Sequence, residues 1–330
     1  MTTLPPHQAT TPPTPAPITA QTVYQNLRPI HSLRDYDNYV ATCKFLAHAQ
    51  FSCDLSIDFV RIFAPASLVN VAGIMKSLCL LGCPSYLFTN NTGVFCFIYL
   101  AKTYLCRFNL CRNSGIYFGC TIQVHHPDHG VLCHLDRVFS GKYLITQVEF
   151  TADMFCQNPG ELFTMVACSV FLPRAGADLH LPHPTVYLNN IRKSRGKGGR
   201  LYLKDINGRV SVRLEIVLKR RMLRKICPGN LNAFNTIRAE NIFKIVQFKL
   251  LDTAKIRLRY GKVFMKQLNG NIQFLKFSTM FFRSQIATDF ELGIRHVLKF
   301  LDSLLGKNKY SSVHPFQIQF LTAIHGRHFV

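Results

Sequence analysis

Between Val210 and Leu218 the chain alternates with a period of two. Val210, Val212, Leu214, Ile216 and Leu218 are apolar, with Ser211, Arg213 and Glu215 set between them. Such a period places the apolar set on one face of a strand. Asn207-Gly208 stands directly before it, after the run Leu201–Ile206, and that dipeptide favours the two-residue turn whose twist suits a hairpin. Further runs rich in β-branched and aromatic residues recur between turn residues. They are Tyr86–Thr89, Val94–Leu100, Ile116–Val124, Tyr143–Phe150 and Leu162–Leu172. Lys255, Arg257 and Arg259 alternate with Ile256, Leu258 and Tyr260, and Ile272–Phe277 follows the turn Asn269-Gly270. Phe316, Ile318 and Phe320 alternate with Gln317 and Gln319, which predicts a last strand.

Helices are expected at few places. Ser67 caps a segment with apolar Leu68, Val71, Ala72, Met75, Leu78 and Cys79, ending near Gly82. Thr288-Asp289-Phe290-Glu291 has the form of a capping box and opens an apolar-striped segment closed by Gly306. The fold class is therefore mainly β with a few helices (α+β), and no exact internal repeat is legible. Pro173, Gly176, Pro182 and Pro184 interrupt any regular element and place a domain boundary at about 173–186. This predicts a Pro/Thr-rich flexible tail over 1–38, a β-rich first domain over 39–175 and a basic β-rich second domain over 186–330.

Charge separates the two halves. The chain of 330 residues has 39 Lys and Arg against 17 Asp and Glu, a net charge of +22. Residues 1–170 hold 10 basic and 9 acidic side chains, whereas 171–330 hold 29 and 8. A one-sided excess of this size predicts a surface for polyanions, either nucleic acid or an anionic membrane. The densest stretch, Arg192–Lys225, carries thirteen basic residues and only Asp205 and Glu215 as acids. Gly196, Gly198 and Gly199 predict a mobile loop at its start. The candidate polyanion-binding residues are Arg192, Lys193, Arg195, Lys197, Arg200, Lys204, Lys219, Arg220, Arg221, Arg224 and Lys225, with Lys255, Arg257 and Arg259 on the later strand. Lys219-Arg220-Arg221 with Arg224-Lys225 also matches a nuclear import pattern. Tyr202 and Tyr187 are the only aromatics near the loop, so it reads as charge without base stacking, which suits phosphates in general and lipid headgroups in particular.

Catalysis is not indicated. A glycine-rich nucleotide loop with its Lys, a His-Glu-x-x-His pair and a nucleophile elbow are all missing, and no cofactor is implied. Cys120, His125, His126, His129, Cys133 and His134 are of the right types for zinc, but their spacing matches no standard finger, so no metal site is assigned. Eleven of the 12 cysteines precede residue 170. With no secretory leader pattern at the N-terminus, they read as reduced thiols rather than a disulfide framework. The longest apolar run, Val94–Leu100, is too short to span a bilayer.

One stretch resembles the matrix proteins of negative-strand RNA viruses, of the paramyxovirus and filovirus kind. It comprises Arg137-Val138-Phe139-Ser140-Gly141, Gln147-Val148, Asn158-Pro159-Gly160 and Thr164–Val170, running on to Pro182. Residues Ile242–Phe248, Lys255–Tyr260 and Val263–Leu268 resemble the paired strands of their second domain. The resemblance implies two β-sandwich-like domains in tandem, homodimers that tile, and binding to anionic phospholipids of the inner leaflet. Contacts with viral nucleocapsid and glycoprotein tails, virion budding, and location in the virion, the host cytoplasm and the inner face of the plasma membrane follow from it, with transient nuclear passage from the import pattern. The alternative is a viral nucleic-acid-binding accessory protein such as a clamp-like DNA polymerase processivity factor.

Overall fold

The computed structural model describes residues 18–27, 38, 41, 50–65, 85–90, 93–100, 103–113, 116–172, 177–180, 185–188, 196–227, 229–251 and 310–329. The chain is mostly antiparallel β-sheet with a few helices. Its first half contributes α1 (Ala20–Gln25), β1 (Ser52–Pro65), β2 (Ser85–Asn90), β3 (Gly93–Leu100), β4 (Thr103–Asn113), β5 (Ile116–His125), α2 (His129–Val138), β6 (Leu144–Phe155) and α3 (Pro159–Ser169). After the short β7 (Val170–Phe171) come β8 (Ala177–His180), β9 (Thr185–Leu188), β10 (Lys197–Ile206), β11 (Arg209–Lys219) and α4 (Arg220–Ile226). The remainder supplies α5 (Ala239–Phe243), β12 (Gln247–Leu251), β13 (Tyr310–Val313) and α6 (Phe316–Ile324).

Ten strands form one sheet in the order β2-β3-β4-β5-β1-β6-β11-β10-β9-β8, and β13-β12-β7 form a second. The order of the large sheet is symmetrical about its middle. The two long strands β1 and β6 pair antiparallel there. Each is followed in the chain by a four-strand antiparallel meander that returns to pair with it, β5 with β1 and β11 with β6. Each meander is followed by a helix, α2 or α4. The second set trails the first at a nearly constant interval. β1 begins at Ser52 and β6 at Leu144, β2 at Ser85 and β8 at Ala177, β3 at Gly93 and β9 at Thr185, β5 at Ile116 and β11 at Arg209. The chain thus holds a topological repeat with a pseudo-twofold axis between β1 and β6, which its residue identities conceal.

Alternation explains the two faces of the sheet. Val60, Ile62, Ile122, Val124, Val148, Phe150, Val212, Leu214 and Ile216 lie on one face and are fully buried. They share a single core with Leu132 and Leu135 of α2, Phe163 and Val166 of α3, and Leu223 of α4. The helices therefore cover the apolar face. The same core continues into Phe243, Phe248, Phe320 and Phe329, where Phe248 meets Phe320 at 5.5 Å between ring centroids and Phe329 meets Phe150 at 4.7 Å. The Asn207-Gly208 turn forms as its sequence predicts, with both residues left-handed at φ 49° and 76°.

Several expectations need correction. The boundary at 173–186 does not divide the sheet, because β6 before it pairs with β11 after it, from Gln147↔Lys219 to Met154↔Val212. Proline and glycine break a strand locally, yet they leave the flanking chain free to return to the same sheet. Within the tail expected at 1–38, residues 20–25 form α1 instead. The Thr19 hydroxyl accepts from the Thr22 N–H at 3.2 Å, the Ala20 N–H donates to Asp205 Oδ1 at 2.8 Å, and Tyr24 packs edge-on against Phe163 at 5.6 Å. Gly160 makes that approach close, since a Cβ there would stand 3.2 Å from Val23 and 3.3 Å from Leu27. The strand predicted at 162–172 is the buried helix α3, initiated by Asn158 and Pro159, with β7 after it. The last predicted strand is α6, whose buried Phe316, Phe320 and Ile324 recur every four residues. The expected glycine loop is in part strand: Gly198 and Gly199 lie in β10, and a Cβ on Gly199 would come within 2.9 Å of the Glu215 carbonyl oxygen. The helices predicted from Ser67 and Thr288 and the strands at 255–260 and 272–277 lie outside the described residues.

Candidate functional site

The basic stretch divides into two regions with different surroundings. In the first, β10 and β11 carry Arg200, Tyr202, Ser211, Arg213 and Glu215 on the face away from the helices, in register with Glu149, Thr151 and Asp153 of β6. Arg213 is 5% exposed, yet it is fully engaged. Its Nε and Nη2 donate to the two oxygens of Asp153 at 2.8 and 2.7 Å, and its Nη1 donates to Asp58 at 3.1 Å. This two-pronged geometry is the strongest form of ion pair available to a carboxylate. Arg200 bonds Glu149 and stands 2.5 Å from Glu215 through its Nε. That Nε and the facing Glu215 oxygen lack hydrogen-bond alignment, so the second contact is ionic. The Tyr202 hydroxyl also donates to Glu215, and Ser211 donates to Asp153 at 2.9 Å.

These contacts set the ionisation of the groups. Burial pushes the Asp58 carboxyl up, but the hydrogen bond and charge of His126 and the charge of Arg213 outweigh it and bring it down to about 2. Burial raises Glu215, opposed by Arg200 and Tyr202. Lys204 is lowered by burial and by Arg213. The face is a paired network, with the four carboxylates of Asp58, Glu149, Asp153 and Glu215 set against the three cations Arg200, Arg213 and Lys204. Arg200, named above as polyanion-binding, is therefore committed to carboxylates inside the protein, and Lys204 is half-buried beside them. This is the correction that matters most for the site. Sequence reading missed Glu149, Asp153 and Asp58 because they lie in the neutral half. The visible signal was alternation: Glu149, Thr151 and Asp153 alternate with Val148, Phe150, Ala152 and Met154, as in β11.

The second region keeps its charge outward. Lys219 closes β11, half-buried, with its N–H on the Gly196 carbonyl at 2.7 Å. Burial and the nearby Arg61 lower its ammonium group, against a pull from Glu149. Helix α4 then starts at Arg220, with φ 31°, no side-chain cap and no acid in its first turn. Leu223 anchors it to the core at 3% exposure, while Arg220, Arg224 and Lys225 are exposed. Arg224 and Lys225 sit in the last turn, where cations complement the helix dipole. Arg221 lies in the same helix. Lys197 begins β10 and is half-buried. Arg192, Lys193, Arg195, Lys255, Arg257 and Arg259 lie outside the described residues.

The helix equivalent to α4 in the first repeat is α2. Asp128 caps it by accepting from the Val131 N–H at 2.7 Å, and its end exposes Arg137, with Lys142 exposed just beyond. Tyr143 donates to Asp136 and accepts from the Leu231 N–H at 2.7 Å. The chain following α4 is thereby tied to the end of α2, and the two basic helix ends belong to one side of the sheet. On α2, Cys133 lies 3.3 Å from His129 Nε2. Among the described residues no group of three or more His, Cys, Asp or Glu is gathered around a metal-sized position, and no helix among them is long and apolar enough to cross a membrane. No known protein family matches this chain, and no curated protein is similar to it in sequence.

Proposed function

We propose that this is a non-catalytic, clamp-like nucleic-acid-binding protein, which holds duplex phosphates with the helix side of its sheet and so keeps a partner such as a polymerase on its template. The observation that carries this reading is the repeat: two equivalent strand–meander–helix units, related by a pseudo-twofold axis, each ending in a helix with exposed cations. Arg137 and Lys142 stand at one end, and Arg220, Arg224 and Lys225 at the other. The two strands of a duplex are themselves related by local twofold axes, so paired basic helix ends match its geometry as well as its charge. Cations that contact phosphates fix position and carry no base readout, which agrees with a basic surface that has few aromatics.

The matrix-type reading draws on the same charge, with anionic lipid in place of nucleic acid and tandem β-sandwiches in place of the repeat. It gains nothing from the pairing of β6 with β11 in one sheet, and charge alone supports it. One variant separates the two. Replacing Arg220, Arg224 and Lys225 together by Gln should weaken binding to a random-sequence DNA duplex roughly tenfold near 0.1 M salt, and should reduce the slope of log K against log salt by about 2 to 3. Fluorescence anisotropy across a salt series measures both. Unchanged duplex binding with lost sedimentation on phosphatidylserine vesicles would replace the clamp reading with the matrix one.

A further inference from the structure

Beyond the end of α2 and Phe139, which is 2% exposed, the chain turns through Ser140 and Gly141, both left-handed at φ 49° and 69°. The Ser140 N–H donates to the Arg137 carbonyl at 3.1 Å, the Gly141 N–H to that of Asp136 at 3.2 Å, and the Lys142 N–H to that of Phe139 at 2.9 Å. The turn is held at its far end too, where the Tyr143 hydroxyl accepts the Leu231 N–H at 2.7 Å. A glycine adopts a left-handed backbone readily, whereas a serine there is uncommon. Ser140 is exposed, and its hydroxyl makes no hydrogen bond among the described residues. Nothing in the turn uses that hydroxyl.

Its surroundings point to a use. Of all the serines and threonines in the sequence, Ser140 alone has an arginine three residues before it. Protein kinases choose their acceptors by the charges around them, and an arginine at that spacing is what arginine-directed kinases read. Arg137 and Lys142 are exposed on either side, with no carboxylate paired to them among the described residues. The neighbouring acid, Asp136, is engaged by the Tyr143 hydroxyl and the Asn232 amide. A phosphoserine here would carry about −1.5 to −2 charges at neutral pH, enough to neutralise both cations. The carbonyl end of a helix disfavours an anion, so the phosphate would turn to Arg137 and Lys142. They are the cations assigned above to one end of the duplex site. The second repeat has Cys227-Pro228-Gly229 after α4, with no hydroxyl to modify, so a phosphate would act on one end alone.

We infer that Ser140 is a phosphorylation site for an arginine-directed protein kinase, and that its phosphate withdraws Arg137 and Lys142 from the duplex. The Ser140 Oγ attacks the γ-phosphorus of ATP. The new O–P bond forms as the bond to ADP breaks, and the hydroxyl proton passes to the catalytic carboxylate of the kinase. The regulation rests on the nucleic-acid reading, while the modification itself does not. The test uses the full chain in two arms. In the first, folded protein is treated with Mg²⁺–ATP and the catalytic subunit of the cyclic-AMP-dependent protein kinase, and phosphopeptides are mapped by mass spectrometry. Ser140 should be phosphorylated, and Ser140→Asn, which tolerates a left-handed backbone, should lose that phosphopeptide. In the second, phosphoserine is installed at position 140 during synthesis, and binding to a random-sequence DNA duplex is followed by anisotropy across a salt series. The phosphate should weaken binding roughly tenfold near 0.1 M salt and lower the slope of log K against log salt by about 2. Ser140→Asn should bind as the unmodified chain does. Arg137→Gln with Lys142→Gln should weaken binding by itself and lose little more when position 140 is phosphorylated. A folded chain that takes no phosphate at Ser140 would overturn the site. Phosphoserine that leaves binding unchanged, where the Arg137→Gln, Lys142→Gln variant is weakened, would overturn the regulation alone. Unchanged binding by that variant would instead remove this helix end from the duplex reading, and the regulation with it.

Discussion

Arg213 is 5% exposed, with the Nε–Nη2 edge of its guanidinium on Asp153 and its Nη1 on Asp58, whereas Arg224 and Lys225 are exposed on a short helix with no acid in its first turn. All three belong to one basic stretch of the sequence. The difference comes from what stands opposite each. β11 is paired along most of its length with β6, which supplies Asp153 and Glu149, and β1 adds Asp58. α4 leaves the sheet at Lys219 and has no such neighbour among the described residues. Charge density along the chain therefore overstates the charge available to a partner, because part of it closes the seam between the two repeats.

The largest effect that would sharpen this contrast is on the seam. Arg213→Ala leaves Asp153 buried without its ion pair and should cost about 3–5 kcal/mol of folding stability, measured as a shift in urea midpoint. A loss below about 1 kcal/mol would mean that water or another cation takes the place of the guanidinium, and that the seam is less closed than its geometry indicates. Acid should act on the same network with a smaller effect. Asp58 is held at about 2 in the folded protein against an ordinary value of 3.8. Its stabilisation is therefore complete above pH 4 and lost as pH falls from about 4 toward 2, to the extent of roughly 2 kcal/mol. Asp58→Asn should flatten that part of the stability–pH profile, and an unchanged profile would remove Asp58 from the account. The smallest effect belongs to the exposed region. Arg224→Gln with Lys225→Gln should change stability by no more than about 0.5 kcal/mol, even though the same residues dominate the expected loss of duplex binding. A larger destabilisation would show that α4 is structural, and the comparison would break.

The candidate site was legible in the sequence as an excess of charge, and half legible as a surface. Arg220, Arg224 and Lys225 are exposed, with no carboxylate paired to them among the described residues. Arg200 is different, because its partners Glu149 and Glu215 reach it through strand pairing across 51 and 15 residues. Glu215 faces Arg200 in the register of the Asn207-Gly208 hairpin, but no local pattern announces the approach of Glu149. The two wrong strands have a similar origin. Phe316, Ile318 and Phe320 satisfy a period of two, while Phe316, Phe320 and Ile324 satisfy a period near four, and the short stretch fits both. Packing of Phe316 and Phe320 against Phe248 decided for the helix.

What the sequence determined by itself is local. The left-handed turn at Asn207-Gly208, the alternation of β11 and the hairpin of β2 and β3 follow from backbone sterics and side-chain direction within a few residues, and they form as those forces require. The repeat about β1 and β6, the sheet that passes the proline-rich segment, and the pairing of Arg213 with Asp153 were decided only by the tertiary structure. Each joins segments whose meeting is governed by burial of a shared apolar face and by the cost of leaving a charge unpaired beside it. Those energies exist only once the strands are side by side.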